Sequence, residues 1–176
     1  MHPLFSLRPA HTTDAPVLAA LATQIWLHTY ATEGVSPVIA DYVLREITPA
    51  KLAASLEDPC AITLVAECDE NLVGFAALRL NATCPSPIKA ASNIELETLY
   101  VQAHFLGQGI GSALLLQAED MALAQAPASS GLWLTVNARN ARAIRFYAAH
   151  GYQRIGTHVF MLGGVSHENQ VLVGKF

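Results

Sequence analysis

The sequence predicts a single α/β domain, spanning residues 1–176, built on one mixed sheet. Three observations predict it. Strand-like and helix-like apolar patterns follow one another in the order β-α-α-β-β-β-α-β-α-β-β. A glycine-rich stretch, FLGQGIG at residues 105–111, joins a strand pattern to a helix pattern. No repeat, low-complexity tract or linker interrupts the 176 residues, and with 52% hydrophobic and 14% charged residues the chain reads as globular, not disordered.

Phe5 to Arg8 reads as a first strand, ended by Pro9. Thr13 and Asp14 can cap a helix, Pro16 suits its first turn, and Leu18, Leu21, Ala22, Ile25 and Trp26 fall on one face of it. Residues 31–59 predict one or two short helices broken at Pro37 and Pro49. Ala61–Glu67 and Leu72–Leu80 read as an antiparallel hairpin turning at Asp69–Asn71. A loop with Pro85 and Pro87 leads to a strand at Ile94–Val101. Beyond the glycines, Leu114, Leu115, Ala118, Met121 and Ala122 form an apolar stripe at helical spacing. Leu132–Val136 is a further strand, Asn140–His150 a helix that Gly151 can terminate, and the tail two strands joined by a turn-rich loop.

The net charge of −4 argues against a nucleic-acid partner and gives a slight lean towards a cationic substrate. Three cysteines without CxxC spacing read as buried or incidental thiols. Seven histidines, among them His28, His104 and His150, show no metal-ligand spacing, so no metal is expected. The N-terminal stretch does not read as a signal peptide, and no segment nears the ~18 to 20 apolar residues of a membrane span. A cytoplasmic chain without a membrane partner is the expectation.

Three glycines before a helix cost helix stability, so that position calls for backbone rather than side chain. Gly111 is followed by Ser112 and Ala113, not by the Lys-Ser/Thr of a nucleotide-binding P-loop. A dinucleotide fingerprint counted from Gly107 reaches Ser112 at its last position, and the preceding strand, IELETLYV, carries Glu95 and Glu97 where an apolar parallel strand is wanted.

Leu99-Tyr100-Val101 with Gly109-Ile110-Gly111 after it resembles motif A of the GNAT acyltransferase superfamily. VNARNARAIRFYAAHGY resembles its motif B, with Asn140, Ala141, Phe146, Tyr147, Gly151 and Tyr152 at matching spacing. The resemblance covers roughly residues 72 to 155. It implies a mixed, mostly antiparallel sheet of six to seven strands flanked by about four helices. It also implies acetyl-CoA as cosubstrate, its pyrophosphate taken by backbone N–H groups of the loop. Residues 106–112 (Leu106, Gly107, Gln108, Gly109, Ile110, Gly111, Ser112) would line that loop, with Ser112 as a further phosphate donor. Leu99, Tyr100 and Val101 would hold the pantetheine arm, and Asn140 would hydrogen-bond it. The family pattern has Gln or Arg where this chain has Leu106, which leaves the phosphates to the backbone. Arg139, Arg142 and Arg145 can reach the cofactor's 3′-phosphate or form a solvated helix face.

The implied reaction is direct attack of a primary amine on the thioester. Since the amine is mostly protonated near neutral pH, a carboxylate working through water is wanted, and Glu95 stands first, Glu97 second. Tyr147 would protonate the departing thiolate. The layout of residues 25–59, together with FLGQGIG and the preceding IELETLYV, resembles polyamine acetyltransferases of the PaiA type, and Glu33, Asp41 and Glu46 there can attract a polyamine or be plain surface acids. A RimI-like protein N-terminal acetyltransferase and a non-catalytic acyl-CoA-binding module are the alternatives. Dimers are common in the family, which allows a homodimer.

Overall fold

The computed structural model describes residues 5–85, 88, 90, 92–127, 129 and 131–175. Pro87 of the predicted proline loop therefore lies outside the described residues. Among the described residues seven strands form one sheet: β1 (Ser6–Pro9), β2 (Ala61–Cys68), β3 (Asn71–Arg79), β4 (Glu95–Val101), β5 (Gly131–Asn137), β6 (Gln153–Leu162) and β7 (Val165–Lys175). Their order across the sheet is β1-β2-β3-β4-β5-β7-β6. β1 runs antiparallel to β2, β5 to β7 and β6 to β7, while β4 pairs parallel with β5, Glu95 opposite Trp133. The helices are α1 (Ala15–Tyr30), α2 (Pro37–Glu46), α3 (Pro49–Glu57), α4 (Ile110–Gln125) and α5 (Ala141–Ala149). None of the described helices is long and apolar enough to cross a membrane.

Among the described residues there are five helices, in line with the expected four or so, and two of them come from residues 31–59 for a local reason. Pro37 and Pro49 do not break helices; each starts one, at the first helical position, where a missing N–H costs nothing. Ser36 accepts from Ile39 N–H and Thr48 from Lys51 N–H, so both are N-caps, worth about 1 kcal/mol each. β1 ends at Pro9, which is its last residue and lies opposite Leu64.

Contacts divide the chain into two compact units, Met1–Ala77 with Thr98–Ala118, and Leu78–Glu97 with Glu119–Phe176. In the first, the predicted face of α1 (Leu18, Leu21, Ala22 and Ile25) packs with Val65 of β2 and Phe75 of β3. In the second, Trp133 of β5 and Val171 of β7 pack with Cys84, and with the partly buried Ile88 and Ala90, from the segment after β3. The predicted α4 stripe is buried at Leu114, Leu115, Ala118 and Ala122, with Met121 half-buried.

Candidate active site

In the first unit, β4 ends at Val101 and the chain turns through a short 3-10 segment, Ala103–Phe105. Gly107 and Gly109 follow at φ +77° and +83°, where a side chain is strained, and a Cβ on either would meet no atom within 4 Å. The loop is thus bare, exposed backbone. Ile110, 2% exposed, pins the start of α4, and Ala113 N–H gives the first helical hydrogen bond, to Gly109 O. Helix geometry leaves the N–H groups of such a first turn without intrahelical acceptors, at the positive end of the dipole of a 16-residue helix. Gln108 turns back on its own loop, Nε2 donating to His104 O at 3.3 Å, and Leu106 is half-buried.

Sequence reasoning missed Gly74 of β3. A Cβ there would lie 2.7 Å from Tyr100 O, so this strand approaches the end of β4 as only glycine allows. Tyr100 itself lies edge-on to Phe75 at 5.5 Å.

On α1 and α2, Trp26 packs against Tyr30 and stacks on Tyr42, both at 4.9 Å between ring centroids. The acids singled out here are mostly spoken for. Asp41 pairs with Arg45 at 3.4 Å, and Glu46 pairs with both Arg45 and Lys51. Lys51 first, then Arg45, hold the Glu46 carboxyl below its usual range. Glu33 is exposed.

In the second unit, Glu95 and Glu97 alternate onto one face of β4 but occupy different environments. Arg79 of β3 donates from Nε to Glu97 Oε1 at 3.2 Å. Glu95 is half-buried, and its carboxyl is pushed up to about 7, first by burial and then by the charge of Glu97, with Arg79 opposing. In-register partners share a sheet face, so Trp133 stands on the same face as Glu95. Trp133 is 2% exposed, and its Nε1–H has no acceptor among the described residues. Burial also raises the Cys84 thiol, with the Glu95 charge adding to the effect.

Asn140 caps α5, Oδ1 accepting from Ala143 N–H at 3.0 Å. Tyr147, two turns on, is buried, with Phe146 edge-on at 5.3 Å and Tyr152 tilted at 5.5 Å. Arg139, before α5, and Arg142 and Arg145 on it are exposed. Tyr152 and Glu119, which sequence reasoning left without partners, meet through a hydrogen bond of 2.8 Å.

The acetyltransferase (GNAT) family profile matches residues 22–152. An uncharacterized N-acetyltransferase of Mycobacterium tuberculosis is 33% identical over 162 residues, 92% of this chain and 96% of its own. Among solved structures, the PaiA N-acetyltransferase of Thermoplasma acidophilum in complex with coenzyme A is similar, with a TM-score of 0.72 and 22% identity over 98% of this chain and 99% of that one. The ribosomal-protein-S18-alanine N-acetyltransferase of Escherichia coli superimposes with a TM-score of 0.65 at 17% identity, covering 97% and 93%. Both share the fold.

Proposed function

Because the chain belongs to the GNAT acetyltransferase family, we propose that it transfers an acetyl group from acetyl-CoA to a primary amine by direct attack, with Glu95 as the base. The observation that carries this reading is the Glu95 carboxyl at about 7, a value burial sets and a general base near neutral pH wants. Glu97, held by Arg79, is the second candidate.

When bound, acetyl-CoA supplies the thioester that the amine attacks. The bare backbone at Gly107, Gly109 and Gly111, flanked by Gln108, Ile110 and Ser112, suits its pyrophosphate. Leu106 is apolar, so the N–H groups carry that task without a side-chain cation. Leu99, Tyr100 and Val101 hold the pantetheine arm by backbone. Asn140 spends Oδ1 on its cap, which leaves the Nδ2–H donors for the arm. Glu95 accepts the proton of the incoming ammonium through a water, and the phenol of Tyr147 returns one to the departing thiolate. No step calls for a metal.

The acceptor we favour is a small amine or polyamine, in keeping with the PaiA-type layout and the fold shared with that protein. One observation favours a second reading, a protein N-terminus. Asp41 and Glu46, the acids that would draw a polyamine to α2, already pair with Arg45 and Lys51. We place the enzyme in the cytoplasm, monomeric or as a homodimer. CoA release from acetyl-CoA should be measured with spermidine, putrescine, a monoamine and Ser- or Ala-led peptides. We expect turnover on at least one polyamine, lowered by about 10²- to 10³-fold in Glu95→Gln. Turnover on peptides alone selects the second reading, and full activity of Glu95→Gln removes the base assignment.

A further inference from the structure

Tyr152 and Glu119 make a part-buried polar contact for which the proposed chemistry has no use. Tyr152, 5% exposed between α5 and β6, donates its phenol proton to Glu119 Oε1 at 2.8 Å. Its ring lies against the backbone of Gly174 in β7, where an added methyl would come within 2.5 Å of Tyr152 Cζ. Tyr152 N–H donates to Tyr147 O at 3.0 Å, and the two rings lie 5.5 Å apart at 54°. Tyr152 is therefore held on three sides: by Glu119 at its hydroxyl, by Gly174 at its ring, and by Tyr147 through both backbone and ring.

Burying a phenol against a carboxylate costs desolvation that a phenylalanine beside an apolar residue would avoid. What the pair adds is direction, because a hydrogen bond fixes a ring that packing alone leaves free to shift. We propose that Tyr152 and Glu119 are a positioning pair that fixes the place of Tyr147 in the transfer step. The proposal rests on the reading of Tyr147 as the group that protonates the thiolate. Glu119 fits the role of acceptor: it is half-buried, and the Tyr152 hydrogen bond opposes the upward push of burial on its carboxyl.

A double-mutant cycle tests it, reading CoA release from acetyl-CoA with the fastest acceptor among spermidine, putrescine and a Ser-led peptide. Tyr152→Phe should lower kcat by roughly 2- to 150-fold, the span of coupling between residues in contact, with KM for acetyl-CoA held within about twofold. In the Tyr147→Phe background the same change should cost nothing further. Glu119→Gln, which keeps an acceptor oxygen, should retain more kcat than Glu119→Ala. Wild-type kcat in Tyr152→Phe overturns the proposal, as does a double variant that loses the product of the two single losses. A Tyr147→Phe enzyme at full speed removes the Tyr147 role and the pair's with it, an outcome distinct from the other two. If Tyr152→Phe lowers the melting temperature too far to assay, the Glu119 variants decide: Ala as fast as Gln overturns the pair.

Discussion

The acids of α2 and those of β4 are the same residue types in opposite circumstances. On α2, Asp41 and Glu46 sit in solvent among Arg45 and Lys51, and the Glu46 carboxyl is held below its usual range. On β4, Glu95 has a like charge two residues along, a half-buried position and the shared face of Trp133, and its carboxyl rises to about 7. The difference teaches that acidity in the sequence is not reactivity. Paired surface acids are satisfied and stay ionised, whereas a desolvated acid near a like charge can still take up a proton in the range where the reaction runs.

The comparison breaks most sharply at Glu95. Glu95→Gln should lower kcat by about 10²- to 10³-fold, measured at saturating acetyl-CoA and amine. The wild-type kcat/KM should fall about tenfold per pH unit below about 7, because Glu95 is then protonated, and the variant should lose that limb. Stability runs the other way. A carboxyl raised from 4.5 to about 7 binds its proton more tightly in the folded state, so its contribution is present below 4.5 and lost as pH rises towards 7. Above pH 7, Glu95→Gln should therefore melt higher than the wild type. Glu95 is only partly shielded from water, which holds the gain to about 1 kcal/mol, or roughly 2–4 °C. A variant that is slower without being more stable would detach the raised carboxyl from burial.

Tyr147→Phe should come next, with kcat down about 10- to 100-fold and KM for acetyl-CoA nearly unchanged. Gly109→Ala sharpens the contrast between backbone and side-chain chemistry. The new methyl has room, so the cost is the strained φ of +83°, about 1 kcal/mol, read as a lower melting temperature and a raised KM for acetyl-CoA. Arg79→Gln should move the acid limb upward by a few tenths of a pH unit, since Arg79 opposes the rise at Glu95. The smallest effect belongs to α2: Asp41→Asn with Glu46→Gln should leave KM for spermidine within about twofold, as paired surface charges contribute little. A large KM rise there would return these acids to the acceptor site.

What the sequence could show follows from distance along the chain. The glycine loop, the α1 face and the α4 stripe depend on neighbours within two helical turns, so spacing alone found them. Pro37 and Pro49 were visible too, but a proline that starts a helix and one that ends it look alike until the cap before it is read, and Ser36 and Thr48 are those caps. The environments that separate Glu95 from Glu97 were hidden. Arg79 reaches Glu97 from another strand, Trp133 reaches the Glu95 face through a parallel pairing, and Tyr152 finds Glu119 across elements. None of these has a local period, because register between strands is set by the whole sheet.

The contact between Gly174 and the ring of Tyr152 also bears on how this fold can change over time. Gly131 pairs in register with Lys175, the neighbour of Gly174, and a Cβ on Gly131 would lie 1.8 Å from Gly174 O. Residues 131, 174 and 152 thus form a queue in which each occupies the room the next would need. A larger residue at 174 is open to a lineage only after 152 has shrunk, and shrinking 152 first gives up the bond to Glu119. The order of steps is therefore constrained, and descendants that keep Tyr at 152 should keep glycine at 174.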